Sequence, residues 1–177
     1  MTLEPVFSWI LALGGALLLT LAATQKLRRW RELAAIVENY RIVPATLAPV
    51  AATFVTLCEL SGSLLLLLPA TRSAGATAAA LLFTAYAAAI ALNLIRGRTH
   101  IDCGCVGASK RRSIGAWMVW RNGTLAAAAA LTALPIGVRA LSALDVFTIA
   151  GSLAALVLLY ATFDQLGTTS SRTRTAS

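Results

Sequence analysis

The sequence predicts an all-α membrane protein: a polytopic helical bundle with four to five transmembrane helices and one short interfacial amphipathic helix. Two observations support this fold class: the overall composition and the length of the apolar runs. Hydrophobic residues make up 58% of the 177-residue chain, and charged residues make up only 12%, far less than a soluble domain of this length needs for its surface. In addition, several apolar runs reach the roughly 20 residues that a helix needs to cross a bilayer.

Five apolar runs are expected to span the membrane as helices, because a helix satisfies its own backbone hydrogen bonds in lipid. No basic residue precedes the first run, so we interpret it as a span and not as a cleaved signal peptide. The runs are Val6–Ala23, Leu47–Leu68, Ala74–Ile95, Trp117–Ile136 and Val146–Phe163. Residues 1–165 are expected to form one bundle domain, and the polar residues 166–177 a disordered tail.

The segment Lys26–Tyr40 predicts the interfacial helix. Its apolar residues recur at helical spacing, and its charged residues fall mostly on the opposite side. Pro44 is expected to end it. Such a helix is typical of the lipid headgroup region, where we expect it to anchor the second span; a ligand-binding role is the alternative.

The net charge of +8 indicates anionic lipid headgroups as partners, and not nucleic acid, because the basic residues flank apolar runs. They concentrate in two loops: Lys26, Arg28, Arg29, Arg31 and Arg41 in one, and Arg96, Arg98, Lys110, Arg111 and Arg112 in the other. The positive-inside rule places both loops in the cytoplasm and the amino terminus outside.

The candidate reactive residues are Cys103 and Cys105, in the polar segment "THIDCGCVG". A disulfide between cysteines one residue apart closes a cramped ring, and strained, exposed disulfides exchange readily. Gly104 gives the backbone the freedom that such a turn requires. Cys58 lies inside the second apolar run, where a single cysteine usually acts as a small hydrophobic residue.

Two other interpretations of this segment stay open. His100, Asp102, Cys103 and Cys105 are all metal-ligand types, but structural zinc usually takes cysteine pairs with wider spacing and a second, distant pair. The second alternative is a tight turn in which the cysteines have no chemical role.

Glu59 is the only acidic residue inside the second apolar run. An unpaired charge at that depth is costly, so Glu59 is expected to be protonated or paired. Arg121, near the start of the fourth run, is a candidate partner. Glu59 then either bonds a neighbouring helix as a structural residue or relays protons.

Several stretches resemble the methylamine utilization protein MauE family and its DoxX-like relatives. The most specific is "IDCGCVG" after an apolar run, followed by a run that opens with "WMVWRN". The stretches "QKLRRWRELAAIVENYRIVP" and "CELSGSLLLLLP" are also similar. The resemblance extends from Phe7 to about Phe163. Val106 departs from the family, in which an aromatic residue more often follows the second cysteine.

The resemblance implies a multi-pass inner-membrane protein that helps to mature the disulfide-rich small subunit of methylamine dehydrogenase. It also implies a thioredoxin-like periplasmic partner. By analogy with vitamin K epoxide reductase-like bundles, a quinone is a candidate electron acceptor; no other cofactor is expected.

We therefore expect Cys103 and Cys105 to exchange disulfides for an exported client, with Glu59 as a proton handler. If the chain is an enzyme, it is a membrane thiol–disulfide oxidoreductase. The alternatives are a non-enzymatic assembly or accessory subunit and a small-solute transporter. An exported client favours an outward-facing cysteine loop, which opposes the charge rule; we expect the outer face.

Overall fold

The computed structural model of the protein describes residues 3–101, 114–137 and 139–173. Within these ranges the chain forms six α-helices and one 3₁₀ turn, and the only β contact is an isolated bridge between Leu3 and Ile136. The all-α prediction is confirmed. In chain order the elements are α1 (Pro5–Arg28), α2 (Trp30–Tyr40), the 3₁₀ turn Ala45–Leu47, α3 (Ala48–Leu67), α4 (Arg72–Ile95), α5 (Ala116–Thr132) and α6 (Ala143–Thr173).

Within the described ranges, three helical segments are long and apolar enough to cross a membrane: Pro5–Arg28, Ala45–Leu67 and Arg72–Ile95. The membrane character of the bundle is therefore confirmed. Helix α5 has only 17 residues, which gives it a length of about 26 Å. The apolar part of α6, Ala143–Leu159, is also shorter than the first three spans, so the fourth and fifth spans stay predictions.

Helix boundaries differ from the expected ones at two places. Helix α1 continues past Ala23 to Arg28, so it includes the first residues that the sequence assigned to the interfacial helix. The helix for which the sequence predicts an interfacial position begins at Trp30, because Arg29 has non-helical dihedral angles (φ −128°, ψ 44°) that separate the two helices. The backbone of α6 continues to Thr173, into the segment for which the sequence predicts a tail.

Helices α1, α3 and α4 pack against one another, α5 packs chiefly on α4, and α6 packs on α1. Small residues face these contacts, which lets the helix backbones approach closely, as is common in membrane bundles. Ala16, Leu19, Leu66, Ala76, Ala79 and Phe83 form the buried core between them. The hydroxyl groups of Thr20 and Ser63 lie 2.6 Å apart and link α1 to α3.

The bundle has two ends. At the Leu3 end, the Leu3 N–H donates to the Pro135 carbonyl (2.8 Å), and the Arg139 guanidinium bonds both Glu4 and Asp145. The bond from Arg139 lowers the pKa of the Asp145 carboxyl to about 2. These contacts connect the start of the chain to the segment between α5 and α6.

At the opposite end, here the Tyr40 end, the loop after α2 meets the loop after α4. The Arg96 side chain donates to the Arg41 carbonyl (3.3 Å), and Tyr40 packs in one buried cluster with Ile90, Ile114 and Met118. Both basic loops therefore begin at the same end of the bundle, as the charge pattern of the sequence requires.

The close approach of α3 and α4 predicts that Gly75 does not tolerate a side chain. A Cβ atom there would lie 2.6 Å from the Leu66 nitrogen and 2.8 Å from the Leu65 carbonyl carbon, and backbone atoms cannot yield as a side-chain tip can. We expect Gly75→Ala to destabilise the protein by about 1–3 kcal/mol, measured by thermal unfolding in detergent. The control is Gly123→Ala, where a Cβ meets no atom within 4 Å; equal unfolding temperatures for the two variants would contradict the packing.

Candidate functional site

A buried polar cluster joins the three central helices. The Lys26 ammonium on α1 forms an ion pair with Glu59 on α3 and also donates to the Tyr86 hydroxyl on α4 at 2.6 Å. Tyr86 in turn donates to the same Glu59 oxygen, Oε1, at 2.6 Å. The side chains of Lys26 and Glu59 are 3% and 1% exposed, so the three polar groups bond one another in the interior of an apolar bundle.

The helical repeat explains why these residues meet. Lys26 continues the stripe of buried, mostly small residues on α1 that runs through Ala16, Leu19 and Ala23. Glu59 lies on the buried stripe of α3, one turn from Thr56 and from Gly62. Residues three and four apart share a helix face. The buried faces along which α1 and α3 pack therefore also bring Lys26 and Glu59 together.

One donor and one acceptor of the cluster have no hydrogen-bond partner among the described residues. An ammonium group has three N–H donors, and Lys26 gives one to Glu59 and one to Tyr86. The second oxygen of Glu59, Oε2, has no hydrogen-bond partner among the described residues. Lys26 also lies in the last turn of α1, where the helix dipole favours a positive charge.

Glu59 is paired, which is one of the two states expected of it, but Arg121 is not the partner. The Arg121 guanidinium instead lies over the ring of Trp117, with 5.2 Å between its central carbon and the ring centroid. The reason is the packing order, because α5 lies chiefly against α4 whereas Glu59 faces α1 from α3. From sequence, Lys26 is expected in a loop. It follows Ala23 by three positions, however, and therefore lies on the buried face of α1. This spacing is the sequence signal for its burial.

An apolar cavity of about 270 Å³ adjoins the polar cluster. Lys26 and Tyr86 line it at one side, and residues of α2, α3 and α4 supply the other walls. The apolar face of α2 contributes Leu33, Ile36, Val37 and Tyr40. Anchoring of the second span by α2 stays a prediction, but the structure shows that this helix also forms a wall of a cavity.

Cys103, Cys105 and Asp102 lie outside the described residues, although the residues that flank their segment are described. The Ile114 N–H donates to the Ile101 carbonyl at 3.0 Å, so the segment leaves and re-enters the bundle at neighbouring points. Ile101 and Ile114 both pack in the cluster at the Tyr40 end. Tyr40 and Ile90 belong to that cluster and also line the cavity.

The remaining candidate residues are placed as follows. His100 is exposed in the loop after α4, and the described residues contain no group of three or more metal-ligand side chains. Three of the four residues in the alternative metal set fall outside the described ranges. Cys58 is a free, partly buried cysteine on α3.

Comparisons with known proteins agree on one family. The family model for the methylamine utilisation protein MauE matches residues 4–135. A methylamine utilization protein MauE from Methylophilus methylotrophus is 36% identical over 91% of this chain and 86% of its own length. The protein of the same name from Paracoccus denitrificans is 35% identical over 90% of this chain and 87% of its own. No solved structure shows significant similarity to the chain.

The burial of the ion pair predicts a large effect of removing one partner. We expect Lys26→Met to destabilise the protein by about 3–5 kcal/mol, because it leaves a carboxyl group in the core without its cation. Thermal and denaturant unfolding in detergent measure this change. Arg29→Met is the matched control, since the Arg29–Glu32 pair is about half exposed and such pairs contribute at most about 1 kcal/mol. Similar losses of unfolding free energy in the two variants would show that the buried pair contributes no more to stability than the exposed pair.

Proposed function

Because the chain belongs to the methylamine utilisation protein MauE family, shown by the match over residues 4–135 and by relatives that align along most of its length, we propose that it acts in the inner membrane. There it supports thiol–disulfide exchange during the maturation of an exported client. The proposed client class is a disulfide-rich protein such as the small subunit of an amine dehydrogenase, which agrees with relatives that are named for methylamine utilization.

The observation that carries this proposal is the joined base of the Cys-Gly-Cys segment. Ile101 precedes Cys103 by only two residues, and consecutive Cα atoms are about 3.8 Å apart. The bond from Ile114 to Ile101 closes the base of this segment on the packed Tyr40 end. We therefore propose the Tyr40 end as the place where a partner protein meets the two cysteines.

The exchange needs only the two cysteines and a partner disulfide. The thiolate of one cysteine attacks a sulfur of the partner disulfide, so a mixed disulfide forms and one partner thiolate leaves. The second cysteine then attacks the mixed disulfide and releases the second partner thiolate. Cys103 and Cys105 are oxidised to a disulfide, and the partner is reduced by two electrons. The reverse sequence passes a disulfide to the partner, for which a thioredoxin-like periplasmic protein is the proposed chemical class.

Glu59 is proposed to handle protons as part of its cluster. Its support is the short hydrogen-bonded path from Lys26 through Tyr86 to Glu59 and the unused oxygen Oε2. Thiol–disulfide exchange releases and takes up protons, because the attacking species is the thiolate. A buried cluster with exchangeable protons near the Tyr40 end is suited to supply them.

The thiol proposal predicts that Cys103 and Cys105 act as a pair. In cells, alkylation with a mass tag before and after reduction should show two cysteines that change together, and Cys103→Ser should remove the change. The double variant Cys103→Ser, Cys105→Ser should lose client disulfides and client activity. Cys58→Ser is the matched control, because Cys58 lies on α3 within the bundle, and it should leave both readouts unchanged.

An assembly protein without thiol chemistry gives the opposite result. Full disulfide content and activity of the client in the double variant would exclude the exchange mechanism and leave the accessory role. A variant that does not accumulate would also fail to mature the client. The amount of each variant protein in isolated membranes is therefore measured first.

The exported client predicts the side on which the thiols react. In intact cells carrying Cys58→Ser, a membrane-impermeant maleimide should label Cys103 or Cys105 after mild reduction. The basic residues at the Tyr40 end favour the cytoplasm, so the experiment sets the two arguments directly against each other. Labelling that appears only after lysis would place the thiols in the cytoplasm and contradict the proposed outer face.

A further inference from the structure

We propose that the cavity beside Lys26 and Tyr86 binds a lipid-soluble molecule with a compact, carbonyl-bearing head and an apolar tail. The proposal goes beyond the thiol function, because it depends on neither cysteine. Three features of the cavity carry it: its apolar walls, its opening toward the outside of the bundle, and the polar groups of Lys26 and Tyr86 in its lining.

The walls of the cavity fit an apolar molecule of modest size. All lining side chains except those of Lys26, Tyr86 and Tyr40 are aliphatic. The volume of about 270 Å³ lies near the lower end of the range of about 300–1,000 Å³ for small-molecule sites. It accommodates a single ring better than a bulky headgroup.

The cavity opens toward the surface that faces lipid. Ala85 and Ile42 both line it, and both are exposed on the outside of the bundle. Ala85 lies on α4, one of the three helices that are long and apolar enough to span a membrane. A ligand therefore enters from the bilayer, and an apolar tail can stay in the opening.

The polar groups of Lys26 and Tyr86 select the head of the ligand. Two of the three N–H donors of Lys26 are used by Glu59 and Tyr86, and the third has no described acceptor. A buried donor without an acceptor is costly, so the complementary ligand atom is a hydrogen-bond acceptor such as a carbonyl oxygen.

Two other classes of apolar ligand fit these polar groups less well. A hydrocarbon chain fills the cavity but leaves the third Lys26 donor without an acceptor. A fatty-acid carboxylate adds a second negative charge beside Glu59, whose charge already pairs with Lys26. Like charges in a low-dielectric interior repel strongly. The neutral carbonyl compound satisfies the donor without either penalty, and lipid-soluble quinones and ketones are the natural members of this class.

The test uses the full chain in nanodiscs and a benzophenone that carries a decyl chain, because this probe is both carbonyl-headed and photoreactive. Irradiation followed by peptide mass spectrometry locates the attached residues. We expect attachment to concentrate on cavity residues of α2, α3 and α4, such as Ile36, Val55 and Leu82. Decylubiquinone, another carbonyl compound, should compete at least fivefold better than dodecane or palmitate, as one hydrogen bond of ordinary strength implies.

Two matched variants test the location of the binding site. Ala85→Phe places a ring in the opening and should abolish attachment, whereas Ala88→Phe, at an exposed position of α4 outside the cavity lining, should leave it unchanged. Attachment spread over lipid-facing residues, or equal loss in the two variants, would overturn the site. Competition by dodecane equal to that by decylubiquinone would overturn the carbonyl requirement, and stronger competition by palmitate would replace the proposed ligand with an anionic lipid.

Discussion

The three-way contact among Lys26, Glu59 and Tyr86 is the interaction on which the arrangement of the bundle depends. It ties together α1, α3 and α4, the three helices with clear membrane-spanning character. Van der Waals packing of small residues brings these helices close but specifies their register weakly, because many alanine faces are alike. A buried charge pair fixes the register, since any slip along a helix leaves a charge without its partner. The polar cluster therefore adds specificity to a fold that the apolar contacts stabilise.

The same contact adjoins the cavity and the residue cluster at the Tyr40 end of the bundle. Lys26 lies in the last turn of α1, and Lys26 and Tyr86 line an apolar cavity that residues of α2 also line. Tyr40 and Ile90 connect this cavity to Ile101 and Ile114, which flank the Cys-Gly-Cys segment. The polar cluster, the cavity and the described residues that flank the Cys-Gly-Cys segment thus share one region.

Composition and periodicity were sufficient to predict the helical membrane bundle and its first three spans, because long apolar runs have few other structures available in lipid. They also indicated that Glu59 is protonated or paired. The identity of a partner depends on which helices become neighbours, and the apolar runs carry little information on this. The sequence therefore suggested Arg121, and the spacing of Lys26 from Ala23 is informative only because α1 continues to Arg28. The cavity could not be predicted, since its walls come from three helices and depend on how α2 packs against α3 after the break at Arg29.

The most direct measurement of the central contact is the infrared difference spectrum between the wild-type protein and Glu59→Gln, which isolates the carboxyl band of Glu59. Lys26 and Tyr86 both donate to Glu59 Oε1, so the account predicts that Lys26→Met and Tyr86→Phe each shift this band. Arg121→Met should leave it in place, because Arg121 lies over Trp117. A band that moves with Arg121→Met and stays fixed in the other two variants would contradict the account and return Glu59 to the partner that the sequence alone suggested.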